Sequence, residues 1–168
     1  MRTSSPQSSA SSPSHPSRGG RFLSFSLDGT EYGLPIMKVR EIIGMMQITP
    51  VPRTPHYVCG CMNLRGKIIT VVDLRSIFEM EVPEDTPETR IIVVEMGDID
   101  AGIVVDSVCE VLDIDDEHIE DRPELGEEVN TDFVLGMGKR DDQVTILIDI
   151  SKVLSTGETL ALGKLAAA

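Results

Sequence analysis

Short stretches in which apolar and polar residues alternate recur along the chain, and this period of two is typical of β-strands. In the first stretch, residues 22–27, Leu23, Phe25 and Leu27 would occupy one face and the intervening serines the other, as in a half-buried strand. Further strands are predicted at residues 32–36, 39–46, 58–64, 68–72, 90–96, 101–105, 108–112, 133–137 and 144–148. The pattern therefore predicts an all-β protein.

The central part of the chain has the clearest local signals. Two apolar arms, residues 58–64 and 68–72, flank a turn that contains Arg65 and Gly66, which predicts a β-hairpin with a cationic tip. The second arm ends at Asp73, just before a short apolar segment. An Asp at such a position caps a helical turn by accepting hydrogen bonds from its free N–H groups.

The two halves of the chain resemble each other. An offset of 69 residues matches the opening strands, and an offset of 76 matches the central hairpin. The matched pairs include Arg21 with Arg90, Gly33 with Gly102, Gly60 with Gly136 and Asp73 with Asp149. Two related five-strand units are the simplest account, and each is predicted to curl into a small barrel because closure removes exposed edges.

Segments of different composition surround these units. Residues 1–20 are rich in Ser and Pro and are predicted to be a disordered tail. Residues 21–155 would hold both barrels, with an acidic, proline-containing linker at about residues 79–89. A second acidic loop is predicted at residues 113–130, and the Leu and Ala of residues 156–168 predict a C-terminal helix.

Composition narrows the possible partners. Apolar residues make up 40% of the chain but aromatic residues only 4%, so the core must come mainly from Val, Ile, Leu and Met. The net charge of -13 disfavours nucleic acid as a partner, because the chain would repel a phosphate backbone. Arg65 with Lys67 is the main candidate for a local basic spot.

The sequence favours a cytoplasmic location without direct membrane insertion. No apolar run approaches the roughly 20 residues of a membrane-spanning helix, and the N-terminal residues lack the apolar centre of a secretory signal. The three cysteines are an odd number, which fits a reducing compartment.

Candidate chemical sites are weak. Cys59 and Cys61 would share one face of a strand, and no second Cys pair or nearby His completes a zinc site. The acidic run at residues 113–117 lacks the spacing of a calcium loop. No metal, cofactor or catalytic residue is therefore predicted. The enzyme alternative is an acid/base pair of Asp73 and Asp149, which is disfavoured because equivalent sites in two barrels would not converge on one substrate.

Glu41 and Arg65 are the exception among the charged residues. Each lies near the end of a strand in the first unit, and a small barrel can bring such ends together. A bidentate Arg–carboxylate pair would orient both side chains, although a loop Arg in water remains the alternative. Arg65–Gly66 aligns with Asp141–Asp142, so the two halves differ in charge at this turn, and backbone geometry alone does not require an Arg there.

Four motifs occur in the order Glu-Tyr-Gly-Leu-Pro-Ile at residues 31–36, Asn-Leu-Arg-Gly at 63–66, Val-Val-Asp-Leu at 71–74 and Gly-Ile-Val-Val-Asp-Ser-Val at 102–108. Together they resemble CheW, the family of coupling proteins in bacterial chemotaxis, over about residues 21–154. The resemblance implies two SH3-like five-stranded β-barrels with short helical turns, and an adaptor without enzymatic activity.

The resemblance also implies partners. A CheW-like adaptor would bridge the cytoplasmic tip of methyl-accepting chemoreceptors and the regulatory domain of the histidine kinase CheA, within membrane-associated receptor arrays. The alternative is an adaptor of a related pathway, such as pilus-driven motility. Thr70, at a position where the family often has Pro, and the two central cysteines are departures from the family pattern.

Six residues are implied as receptor-binding. Two of them match the paired receptor-side residues of the family, and the others match positions in or near the receptor groove. The set is Arg65 and Glu41, with Val39, Gly60, Asn63 and Gly66.

Overall fold

The computed structural model describes residues 19–121 and 132–154 of the chain. The predicted tail up to residue 18, residues 122–130 of the second acidic loop and the predicted C-terminal helix lie outside the described residues.

The described residues form eleven strands and two short α-helices, and each of the ten predicted strands is present. The strands are β1 (Gly20–Leu27), β2 (Thr30–Pro35), β3 (Val39–Gly44), β4 (Val58–Leu64), β5 (Lys67–Asp73), β6 (Arg90–Met96), β7 (Ile99–Val105), β8 (Ser107–Ile114), β9 (Ile119–Glu120), β10 (Val134–Arg140) and β11 (Gln143–Ile148). The helices are α1 (Leu74–Ile77) and α2 (Ile150–Val153), and 3-10 turns lie at Ile36–Lys38 and Asp116–His118.

The strands form two sheets of matching design. The six-stranded sheet has the order β8-β1-β2-β11-β10-β9, and the five-stranded sheet has the order β3-β6-β7-β5-β4. Two related β units are thus confirmed. The expectation that each half of the chain folds on itself is wrong: the opening hairpin β1–β2 lies in the sheet with β8, β10 and β11, and the hairpin β6–β7 lies with β3, β4 and β5. The predicted linker at residues 79–89 therefore joins strands of one sheet.

The exchange of hairpins gives the two sheets equivalent central strands. In each sheet the opening hairpin pairs in parallel with the last strand of the other half, β7 with β5 and β2 with β11. Strands in this central position are covered on both faces and bury consecutive residues. The chain then passes to the other sheet through short crossovers, a 3-10 turn after β2 and the single residue Asp106 after β7.

The prediction that β1 is half-buried is wrong, because four consecutive residues of this strand, residues 22–25, are buried. Ser24, on its predicted polar face, is completely buried. Its hydroxyl donates to the carbonyl oxygen of Glu110 at 2.9 Å and accepts from the Glu110 N–H at 3.1 Å. These bonds lie where the β1–β8 register shifts between Leu23 and Phe25, so Ser24 satisfies backbone groups that the bulge would leave unpaired.

Three apolar clusters form the core of the part of the chain that the structure describes. One lies between the sheets and takes residues from both, among them Phe25, Leu34, Val94 and Ile103. A second lies within the five-stranded unit around Met62, and a third lies within the six-stranded unit around Leu147. The two units therefore share a core in addition to having one each, which fixes them against each other.

Candidate functional site

The tip of the β4–β5 hairpin is a two-residue turn. Arg65 and Gly66 have φ values of 52° and 85°, and Leu64 pairs with Lys67 on either side of them. Two successive left-handed residues are typical of the turns that suit the twist of a hairpin. The Asn63 side-chain oxygen accepts a hydrogen bond from the Gly66 N–H at 2.8 Å. The predicted hairpin is confirmed.

Arg65 forms a bidentate pair with Glu41. Its Nη1 donates to Glu41 Oε2 at 2.7 Å and its Nη2 donates to Oε1 at 2.6 Å. The Arg65 side chain is 70% exposed and that of Glu41 29%, so the pair lies at the surface. The hydrogen bond from Arg65 lowers the pKa of the Glu41 carboxyl below its usual value, and the same bond raises the pKa of Arg65.

This pair spans the opening of a barrel. Within the described residues, no backbone ladder joins β3 directly to β4. Glu41 lies in β3 and Arg65 at the end of the β4–β5 hairpin, so the two side chains link the edge strands of the five-stranded sheet. Because both hydrogen bonds are charged and parallel, they fix the plane of the guanidinium as well as its position.

The other predicted site residues lie on the same elements. Val39 begins β3 and packs, half-buried, against the cluster between the sheets. Gly60 is buried at a bulge in β4 and has a φ of 142°. A Cβ there would collide with the carbonyl of Thr49, which pairs with Cys61. Asn63 and Gly66 support the tip directly, whereas Val39 and Gly60 shape the strands that carry the pair.

The second unit repeats the link in a different form. Glu110, the counterpart of Glu41, lies 3.9 Å from the guanidinium of Arg140, which also lies 3.7 Å from Glu31. Arg140 is the last residue of β10 and does not lie in the turn. The turn position equivalent to Arg65 is held by Asp141, which has the same φ of 52°. The turn geometry is thus shared, while the cationic tip is particular to the first unit.

A second charged cluster, which sequence reasoning missed, lies beside the pair. The Asp100 carboxylate accepts from Arg40 Nε at 3.0 Å and from Lys67 Nζ at 3.2 Å, and Arg40 Nη2 also donates to Glu95 at 3.0 Å. Glu95 and Asp100 are directly paired residues of β6 and β7. The clustering depends on the strand order, which periodicity does not reveal.

Arg75 forms a buried ion cluster that was also missed. Its side chain is 3% exposed, and it donates to both oxygens of Asp73 at 2.9 Å and to Asp106 at 2.8 Å. The second Asp106 oxygen accepts from the Asp28 N–H at 2.8 Å. Hydrogen bonding to Asp73, then to Asp106, holds the pKa of Arg75 well above its usual value despite burial. The sequence held one signal for this cluster: the position equivalent to Arg75 in the second half is Ser151, so the helical turn itself does not require an Arg.

The capping role predicted for Asp73 is confirmed, and Asp149, at the duplicate position, has the same role. Asp73 accepts from the Arg75 N–H at 2.9 Å, and Asp149 accepts from the Ser151 and Lys152 N–H groups at 3.0 and 3.4 Å. Both carboxylates therefore serve as acceptors in equivalent helical turns, which is a structural role.

The two central thiols and one acidic cluster in the described part of the chain have side chains of types that ligate metals. Cys59 and Cys61 are half-buried free thiols, and burial raises the pKa of Cys59 to about 11, so it is protonated at neutral pH and is a poor metal ligand. In the part of the chain that the structure describes, Asp115, Glu117 and His118 bring possible ligand atoms within 4.8 Å of one another. All three are exposed, and exposed acidic groups commonly lie together without binding a metal ion.

A protein-family model described as the CheW-like domain matches residues 21–158. The chain belongs to the CheW-like family. The chemotaxis protein CheW of Klebsiella aerogenes is 39% identical over 140 residues, which cover 83% of this chain and 84% of the relative. The chemotaxis protein CheW of Bacillus subtilis is 34% identical and covers 81% of this chain and 87% of its own length.

Solved structures agree with this assignment. The crystal structure of the scaffolding protein TtCheW from Thermoanaerobacter tengcongensis matches with a TM-score of 0.76 at 37% identity, over 83% of this chain and 95% of that one. This CheW-like chain is a chemotaxis adaptor of the scaffold type. Across residues 19–121 and 132–154, no helix has the length and apolar character needed to cross a bilayer.

Proposed function

We propose that this CheW-like protein couples transmembrane chemoreceptors to the histidine kinase CheA in membrane-associated arrays on the cytoplasmic side. The observation that carries this proposal is the exposed bidentate pair of Arg65 and Glu41, which presents an oriented cation at the rim of one barrel. Family membership supplies the scaffold role, and the pair supplies a site where a receptor can be held in one orientation.

The receptor side of the proposal centres on β3 and the hairpin tip. Val39, Gly60, Asn63 and Gly66 position this surface, and Met37, just before β3, is 87% exposed. An exposed apolar side chain just before the strand that carries Glu41, together with an oriented Arg, suits a helical partner that presents an apolar face with a carboxylate or carbonyl oxygen at its end. The tip of a chemoreceptor's helical hairpin is the proposed partner.

The kinase side rests on the duplication. Ile42 and Ile68 are exposed on the five-stranded unit, and Val111 and Val144 are exposed at the equivalent positions of the six-stranded unit. Two equivalent apolar surfaces let one adaptor contact two regulatory domains of similar fold, which supports alternating rings of adaptor and kinase. A receptor shift then changes kinase activity because the contacts differ between the two signalling states.

The test breaks the Arg65–Glu41 pair in the full-length protein, from either side. Arg65→His and Glu41→Lys should each reduce co-purification with a receptor signalling fragment and weaken kinase control in reconstituted arrays, while CheA is still bound. Arg21→His is the matched control, because Arg21 is similarly exposed and pairs with Asp113 in the other sheet. Unchanged kinase control by both site variants, with circular dichroism showing an intact fold, would contradict the assignment.

A second candidate is an adaptor of a related pathway, such as pilus-driven motility. Its support is that the relatives include one with a name other than CheW: Protein FrzA, from Myxococcus xanthus, is 28% identical over 145 residues, which cover 85% of this chain and 90% of the relative. Capture of receptors from the organism's own membranes, followed by identification of the receptor class, separates the two candidates.

A further inference from the structure

One carboxylate connects the two elements that carry the Arg65–Glu41 pair. Asp100 accepts from Arg40 Nε through Oδ1 and from Lys67 Nζ through Oδ2. Arg40 immediately precedes Glu41 in β3, and Lys67 follows Arg65 after a single residue. The Asp100 side chain is only 12% exposed, so its charge is better shielded from water than either cation that it binds.

The location of Asp100 makes this connection possible. It lies near the start of β7, which pairs with β6 on one side and with β5 on the other. β6 in turn pairs with β3. Asp100 therefore reaches β3 across β6 and contacts the neighbouring strand β5 directly through Lys67, and β3 has no direct ladder to the β4–β5 hairpin within the described residues.

Two neighbouring carboxylates, Glu95 and Asp100, give this cluster a negative charge that Arg40 and Lys67 offset. Glu95 and Asp100 are opposite each other on neighbouring strands, where like charges are destabilising. Arg40 donates to both at 3.0 Å, which offsets the repulsion and fixes Arg40. The φ of 52° at Arg65 belongs to the two-residue turn, and the contact of Lys67 with Asp100 beside that turn fixes where the hairpin tip lies relative to β7.

We propose that Asp100 is a positioning residue for the receptor-binding pair. Through Arg40 and Lys67 it holds β3 and the β4–β5 hairpin at the separation at which Arg65 donates both hydrogen bonds to Glu41. The inference rests on the proposed function for its consequence in receptor binding. The geometric effect on the pair does not depend on any partner.

The first experiment measures the pair in the free, full-length protein. NMR of the arginine guanidinium groups reports how fast Arg65 rotates about its Nε–Cζ bond, and a bidentate partner slows that rotation. Asp100→Asn, which keeps the shape and removes the charge, should speed the rotation of Arg65. Asp113→Asn is the matched control, because it removes the single bond to Arg21 in the other sheet and should leave Arg65 unchanged. Equal Arg65 rotation in the wild type and in Asp100→Asn would overturn the proposal.

The second experiment is a double-mutant cycle on binding to a receptor signalling fragment. Asp100→Asn alone should weaken binding about fivefold, corresponding to ~1 kcal/mol. In an Arg65→Ala background, Asp100→Asn should have no further effect on binding. With Arg65 present, Asp100→Glu should weaken binding less than Asp100→Asn does, because it keeps the charge. A purely structural role predicts additive losses in both backgrounds, so additivity would refute the positioning role.

The two experiments separate failure of the proposal from failure of the proposed function. If the wild type does not bind the receptor fragment, the proposed function fails, and the rotation of Arg65 in Asp100→Asn still decides whether Asp100 positions the pair. If the wild type binds and Asp100→Asn binds equally well with unchanged rotation, the positioning role is overturned and the proposed function stands.

Discussion

Thr70 places a hydroxyl inside the five-stranded sheet without a hydrogen-bond partner among the described residues. A buried unsatisfied polar group destabilises a protein by about 1–3 kcal/mol. Thr70→Val has nearly the same shape and removes the hydroxyl, so we expect the free energy of unfolding to rise by about 1 kcal/mol, measured by urea denaturation. Thr145→Val is the control. Its buried hydroxyl donates to Glu31 at 2.7 Å, and the same change should lower the free energy of unfolding. A loss at both positions would contradict the account of Thr70.

The titration of the Glu41 carboxyl shows whether its ion pair with Arg65 forms in solution. Arg65 lowers its pKa below the ordinary value of 4.5. Because the folded value is the lower one, stability from the pair is fully present above pH 4.5 and is lost as pH falls through the folded pKa. An NMR titration should give a Glu41 midpoint below 4.5, and Arg65→Gln should return it toward 4.5. A midpoint insensitive to this substitution would show that the pair does not form in solution.

At the residue scale, the sequence predicted the pairing of Glu41 with Arg65 because both lie near strand ends in one unit. It did not predict the clusters of Arg75 and Asp100, since each has a partner from a distant part of the chain that becomes a neighbour only in the folded protein. Asp106, which binds Arg75, follows Asp73 by 33 residues in the chain. The contrast between Arg75 and Ser151 at the duplicate position marks Arg75 as particular to the first half, but a long-range ion cluster leaves no local period from which its distant partner could be identified.

Among the elements, the β4–β5 hairpin depends on its turn. Gly66 has a φ of 85°, and a Cβ there would meet nothing within 4 Å, so any cost of Gly66→Ala comes from backbone conformation alone. We expect a loss of about 1–2 kcal/mol in the free energy of unfolding, read from denaturation curves. Gly44→Ala is the matched control. A Cβ there also meets nothing, and its φ lies outside the left-handed range, so it should be close to neutral. Equal effects of the two changes would exclude a conformational cause.

The duplication predicted the hairpins and the caps, but it could not show which hairpin joins which sheet. A signal for central strands was present: residues 91–94 of β6 are four consecutive apolar positions, and all four are buried. Continuous burial indicates a strand covered on both faces. It does not say whether the covering strands come from the same half of the chain, and only the packing of both halves decides that.

For the whole molecule, the exchange of hairpins means that neither half can complete its sheet alone. Each half would expose the face that forms the cluster between the sheets, including Phe25 and Leu34 from one half and Val94 and Ile103 from the other. Exposing one buried Val, Leu, Ile or Phe side chain costs about 1.5–3 kcal/mol, so exposing these four side chains alone removes much of the 5–15 kcal/mol by which typical domains are stable. The two units are therefore expected to unfold together.

Dividing the chain within residues 79–89 tests this expectation. The residues on either side of the cut, Glu84 and Asp85, are exposed and lie outside every strand and helix, so the break itself should disturb little. Fragments 1–84 and 85–168 should each give poorly dispersed NMR spectra alone. An equimolar mixture should recover the dispersed spectrum of the intact chain, because only together do they supply β1–β2 to one sheet and β6–β7 to the other. A dispersed spectrum from either fragment alone would mean that a half of the chain folds on itself, against the exchanged arrangement.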